Sequence, residues 1–128
     1  MQEHRGAIVV VEDDHSVSQA VGRLLRAAGF HVLLFDSAEA LLAGGGAQHA
    51  ACLIIDIHLP GMSGLELCAK LRETAVSAPV VFITARDNAG YRQAAMKIGA
   101  AYLTKPFAGH VLIEAVESAM AGPSSSGP

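Results

Sequence analysis

The sequence has no tryptophan, only two tyrosines and two cysteines, and a charged fraction of just 16%. Cys52 and Cys68 by themselves supply neither a zinc-ligand spacing nor a disulfide framework. Nine basic residues against twelve acidic ones give a formal net charge of −3, which argues against this segment gripping a nucleic-acid backbone by itself. No apolar run approaches the roughly 20 residues of a membrane-spanning helix. The opening MQEHRG lacks the long apolar stretch of a signal peptide. What is abundant is apolar: 52% of 128 residues, enough for the core of one compact domain and too much for wholesale disorder. The expectation is a soluble, cytoplasmic, reducing-compartment domain that touches neither membrane nor nucleic acid directly.

Short apolar runs alternate with segments of helical period. The runs are Ile8–Val11, Val32–Phe35, Leu53–Ile55, Val80–Ile83 and Ala101–Leu103. The first, third and fourth are continuous and rich in β-branched residues, as strands covered on both faces are. Between the runs, Val17, Ala20, Val21, Leu24, Leu25 and Ala28 form an apolar stripe closed by Gly29. Asp36 or Ser37 caps a short second helix running to Leu42, and Ser63 with Glu66 has capping-box spacing ahead of a third. Tyr91, Ala94, Ala95 and Ile98 make a fourth stripe closed by Gly99, and Leu112, Ala115, Val116 and Ala119 a fifth. This order predicts a (βα)5 α/β fold: one doubly wound parallel sheet with helices on both faces. Gly44–Gly46 reads as a flexible loop, and without a following Lys-Ser/Thr it is no phosphate loop. Residues 1–121 are expected to be the domain, and 122–128 (GPSSSGP) a linker-like or appended tail.

In such a sheet, ligands bind beyond the carboxyl ends of the strands. The residues delivered there are Glu12, Asp13 and Asp14 after the first strand, Asp56 at the end of the third, Thr84 after the fourth, and Lys105-Pro106 after the fifth. Carboxylates gathered this closely repel, and one lysine offsets only part of their charge. A hard divalent cation such as Mg²⁺ would complete the balance. Aspartate, metal and lysine together suit phosphoryl chemistry, with the carboxylate as nucleophile and the cations stabilising the phosphoryl oxygens. Asp14 is expected to cap the first helix instead.

In order, VVVEDD, IIDIHLPGMSG, FITA and YLTKPF closely resemble the receiver domain of bacterial two-component response regulators, from about Ile8 to Met120. The resemblance implies a flavodoxin-like fold with strand order 2-1-3-4-5. It further implies Mg²⁺-dependent transfer of a phosphoryl group from a sensor histidine kinase to Asp56. By the same resemblance, Glu12, Asp13, Asp56 and the backbone carbonyl of His58 hold the metal, and Lys105 contacts the phosphate. Thr84 and Tyr102 form the switch pair, and the Lys105-Pro106 bond is cis. Phosphate on Asp56 then draws Thr84 and lets Tyr102 rotate inward. That alters the surface made by the fourth helix, fifth strand and fifth helix, where such domains dimerise or dock an output domain. His58 and Arg86 flank the approach to the acceptor and are expected to set the lifetime of the phosphate, with the His58 imidazole facing solvent. His4, His15, His31, His49 and His110 are dispersed and read as exposed or structural, and Cys52 and Cys68 as small buried hydrophobes. GMSGLELCAKLRE and TARDNAGYRQAAMKIGA are most similar to regulators with a C-terminal helix-turn-helix output domain, lying outside this chain.

Three rivals stand beside this reading. An Asp-nucleophile phosphatase of the haloacid-dehalogenase type requires D-x-D-x-T after its first strand, where EDDHS stands here. A flavin-binding domain of similar topology requires a hydroxyl- and glycine-bearing phosphate loop there. A receiver-like interaction module that has lost phosphorylation would not need the full set Glu12, Asp13, Asp56, Thr84 and Lys105.

Overall fold

The computed structural model describes residues 6–122. His4 and the tail 123–128 lie outside the described residues. The chain alternates β1 (Ile8–Val11), α1 (His15–Ala27), β2 (Val32–Phe35), α2 (Ala38–Gly44), β3 (Cys52–Asp56), α3 (Gly64–Glu73), β4 (Val80–Thr84), α4 (Ala89–Lys97), β5 (Ala101–Thr104) and α5 (Gly109–Ala121). The strands form one parallel sheet in the order β2-β1-β3-β4-β5. The three central strands are the three continuous apolar runs, and every residue in them is buried. The edge strands β2 and β5 have one neighbour each and are only partly covered.

Because side chains alternate across a strand, each central strand feeds two cores. Val9, Val11, Leu53, Ile55 and Phe82 pack with Leu41 of α2, Leu67 and Leu71 of α3 and Ala95 of α4. Ile8, Val10, Ile54, Val81 and Ile83 pack on the opposite face with Val21 and Leu25 of α1 and Leu112 and Val116 of α5. Of the two thiols, Cys52 lies in the second core and Cys68 in the first; both are free and buried.

Most local signals act as their chemistry predicts. Asp14 caps α1, accepting from the Ser16 and Val17 amides, and Ser37 caps α2. Ser63 and Glu66 form the reciprocal capping box of α3. Gly29 closes α1 at φ +98°, with its amide on the Arg26 carbonyl and the Phe30 amide on Leu25. The same pair of bonds ends α3, but there the left-handed residue is Ala75, at φ +67°.

Elsewhere the structure departs from the sequence pattern. On α1 the buried positions are Ser18, Val21, Gly22 and Leu25, while Ala20 and Ala28 are exposed. Small residues serve here because α1 lies close on β2: a Cβ on Gly22 would stand 3.4 Å from the Leu34 methyls. The Gly44–Gly46 segment is not a loop throughout. Gly44 ends α2, Gly45 is its left-handed cap, and a Cβ on Gly46 would come within 2.7 Å of the Phe35 ring. On α4 only Ala95 is buried, and Ile98, the last member of the expected stripe, is 48% exposed. Short and set beside edge strand β5, α4 has little sheet to cover.

Candidate functional site

The site forms where the backbone leaves the sheet. Val11 pairs with Ile55, Asp56 with Ile83, and Thr84 with Thr104, so the ends of four strands lie side by side. The ladder continues past them. The Glu12 amide bonds the Phe35 carbonyl at 3.0 Å, Ile57 bonds Ile83 at 2.9 Å, and Lys105 bonds Thr84 at 2.7 Å. The groups on these residues are therefore carried by backbone that is still part of the sheet. The amide of Gly64 at the start of α3 bonds the Ile57 carbonyl at 2.9 Å, and a Cβ there would collide with the Asp56 carbonyl oxygen and the Ile55 side chain. Only glycine lets α3 seat this close behind Asp56.

Glu12 and Asp56 are buried, at 1% and 4% exposure, and Asp13 is exposed. One carboxylate oxygen from each of the three lies within 4.8 Å of the others. Lys105 Nζ spans two of them, 2.9 Å from Glu12 Oε1 and 3.1 Å from Asp56 Oδ2. The second oxygens are also held: Glu12 Oε2 accepts from the Asp14 amide at 3.0 Å, and Asp56 Oδ1 accepts from the His58 amide at 2.9 Å. Burial pushes the Glu12 carboxyl up to about 7, against the lowering pull of the Lys105 ammonium; neighbouring Asp56 pushes it the same way as burial. For Lys105, partial burial favours the neutral amine, but the bonds and charges of Glu12 and Asp56 outweigh it and raise the ammonium above its ordinary value.

A metal ion fits this donor set. The offered ligands are all carboxylate oxygens, one of them open to solvent on Asp13, and a single lysine leaves negative charge uncompensated. That is the environment of a hard divalent cation that keeps part of its water. A cleft of about 390 Å³ opens beside Glu12 and Asp13, bounded by His15, Phe35 and Asp36.

The remaining sequence-derived residues sit around this centre in a particular arrangement. Thr84 is fully buried, and its hydroxyl is engaged with the backbone of Arg86, accepting from the amide at 3.0 Å and donating to the carbonyl at 3.1 Å. Lys105-Pro106 is cis. Tyr102 lies on the partly covered edge strand, with its hydroxyl at the surface against Asp87 and Asn88. The His58 imidazole does not face solvent. It stands edge-on to Tyr91 of α4 at 5.1 Å between ring centroids, with Nε2 buried and unpartnered. An apolar neighbour two elements away in sequence drew it in, a contact no local pattern announces. His15, His31, His49 and His110 are exposed. Burial pushes the Cys52 thiol up to about 12 and raises Cys68, so both behave as hydrophobes.

Sequence reasoning missed the cluster around Tyr102. Asp87 and Arg92 pair at 2.8 Å, and the Arg92 guanidinium lies 4.6 Å from the Tyr102 ring centre. Its only sequence trace is Asn88, which caps α4 three residues ahead of Tyr91 and so folds Asp87 back toward β5.

Comparison with known proteins agrees with this fold. The family described as response regulator receiver domain matches residues 8–117. The chain is 36% identical over 121 residues to the response regulator protein TmoT of Ectopseudomonas mendocina, covering 94% of this chain and 55% of that protein. It is 33% identical over 117 residues to the transcriptional regulatory protein FixJ of Bradyrhizobium diazoefficiens, covering 91% of this chain and 57% of FixJ. The crystal structure of FixJ-N superposes with a TM-score of 0.82 at 33% identity, over 95% of this chain and 97% of that one. The chain thus spans a little over half the length of these two curated relatives. Among the described residues no helix is long and apolar enough to cross a membrane.

Proposed function

The chain belongs to the response regulator receiver domain family, whose members are signalling domains rather than classical enzymes, and from that premise we propose that it is a phosphorylation-dependent switch whose acceptor is Asp56. The observation that carries this is Lys105 bridging buried Glu12 and Asp56 at the carboxyl end of the sheet. The donor is the phosphohistidine of a sensor kinase. An Asp56 carboxylate oxygen attacks phosphorus, the P–N bond breaks, and the imidazole leaves with the electron pair of that bond and is protonated.

Each residue has a physical task. The His58 amide and Lys105 fix the two carboxylate oxygens, so the nucleophile is oriented before the donor arrives. Glu12, Asp13, Asp56 and the His58 carbonyl would hold Mg²⁺, which supplies positive charge opposite the phosphoryl oxygens. Lys105 adds a second cation there. Acyl phosphate on Asp56 brings roughly one to two negative charges and three acceptor oxygens. Thr84 gives up the Arg86 backbone for one of them, and the vacated space receives Tyr102. The two arrangements pre-exist, and phosphate shifts their populations by its differential affinity. The surface of α4, β5 and α5 carries the change to a dimer partner or an output domain. By analogy with the transcriptional regulator FixJ, that output is DNA-binding and lies C-terminal to residues 1–121, in a cytoplasmic regulator. The exposed Met96 and Ile98, at 71% and 48%, give the α4 part of that surface apolar contacts to offer.

Incubation with acetyl phosphate and Mg²⁺ is expected to add one phosphoryl group per chain, seen by intact mass. Asp56→Asn is expected to add none. Labelling of Asp56→Asn equal to the wild type, or multiple turnover of the donor without a labelled intermediate, would overturn the assignment.

A further inference from the structure

In the described state the Tyr102 hydroxyl does not merely point outward; it is held there from three directions. It accepts from the Asn88 amide at 3.2 Å and donates to Asp87 Oδ1, also at 3.2 Å, while Arg92 covers the ring face at 4.6 Å. Arg92 Nη2 closes the set on the same Asp87 oxygen at 2.8 Å. That bond chiefly holds the Asp87 carboxyl below its ordinary range. The cluster joins β5, the β4–α4 connection and α4. Thr84, at the base of the same connection, is bound to the Arg86 backbone one residue before Asp87.

Resting on the switch reading of Asp56 above, we propose that Asp87 and Arg92 form a latch that keeps Tyr102 out and so holds down the fraction of unphosphorylated domain in the active arrangement. Inward rotation of Tyr102 must break its bond to Asp87 and withdraw its ring from Arg92. Both latch residues are about half exposed, at 49% and 56%, so they can be changed without opening the core. Arg92 and Asp87 touch neither the acceptor carboxylate nor its lysine; they act through Tyr102 as positioning residues.

The apparent affinity for an active-state ligand scales with the fraction already competent. Loss of an exposed cation–π contact and its ion pair is therefore expected to lower the half-saturating concentration of beryllofluoride, titrated with Mg²⁺ against the full chain, by about three- to tenfold in Arg92→Ala. Arg92→Lys keeps the charge but not the flat stacking and should fall between. A residue with only a structural role would shift this value upward or not at all, and would lower the melting temperature. As a second readout, the Arg92 side-chain protons should be ring-shifted by Tyr102 in the free wild type and lose that shift when beryllofluoride binds. A half-saturation in Arg92→Ala equal to or above the wild type overturns the latch and leaves the acceptor reading intact. Failure of the wild type itself to bind beryllofluoride with Mg²⁺ overturns both.

Discussion

Replacing Glu12 by glutamine should make the metal-free domain more stable, and the gain should depend on pH. Glu12 is 1% exposed and shares Lys105 with Asp56. Burial raises its carboxyl from the ordinary 4.5 to about 7. Between those values the folded state binds a proton that the unfolded chain has released, so stability falls as pH rises. The contribution is complete below about pH 4.5, is lost progressively toward pH 7, and is worth on the order of 3 kcal/mol in all. Glutamine resembles the protonated acid in charge and size, and its single oxygen can accept from the Asp14 amide or from Lys105. Glu12→Gln and wild type should therefore unfold in urea with similar free energies near pH 4.5. By about pH 8 the variant should be ahead by that order of magnitude. Comparing the two proteins cancels the titrating groups that do not touch Glu12; Asp56 and Lys105, which share its site, respond to the change. Saturating Mg²⁺ should reverse the wild-type trend, because the metal competes with the proton for the same oxygens. A variant-minus-wild-type difference that is flat across this range, or that grows toward acid, would refute the reasoning.

Other consequences follow from single residues. Ala75 ends α3 in the left-handed region at φ +67°, so Ala75→Gly should raise stability by about 1 kcal/mol, a melting temperature a few degrees higher by calorimetry. Gly64→Ala, driven into the Asp56 carbonyl and Ile55, should cost about 1–3 kcal/mol in denaturant and slow acetyl phosphate labelling of whatever remains folded. Lys105→Ala removes the ammonium that Glu12 and Asp56 share; labelling should slow by roughly a hundredfold, and the Glu12 midpoint should move above 7 in a carboxyl-resolved NMR titration. Cys52 and Cys68, buried and shifted upward, should resist iodoacetamide in the native protein at neutral pH and react on unfolding.

The sheet and most of the acidic centre were legible because they rest on local signals. Continuous β-branched runs mark β1, β3 and β4, and the residues that end or follow them carry the chemistry. Asp56 ends β3 as expected, but β4 reaches one residue further than its apolar run suggests, so Thr84 is its last residue rather than a loop residue. Polar side chains end an apolar pattern without ending a hydrogen-bond ladder. Gly22 on α1 was invisible for a related reason: close approach to Leu34 of β2 selects small size, not hydrophobicity. The contacts of His58 with Tyr91, and of Tyr102 with Asp87 and Arg92, join residues far apart in sequence. Periodicity holds no record of such pairs, and only the folded chain brings them together.

Asp14 works in two directions at once: its carboxylate seats the opening amides of α1, while its own amide grips Glu12 Oε2. One residue is thus the rivet between a helix end and the floor of the acidic centre. Fraying of that first turn and loosening of the Glu12 carboxylate become the same event. Whatever displaces the start of α1 thereby acts on the centre without entering it.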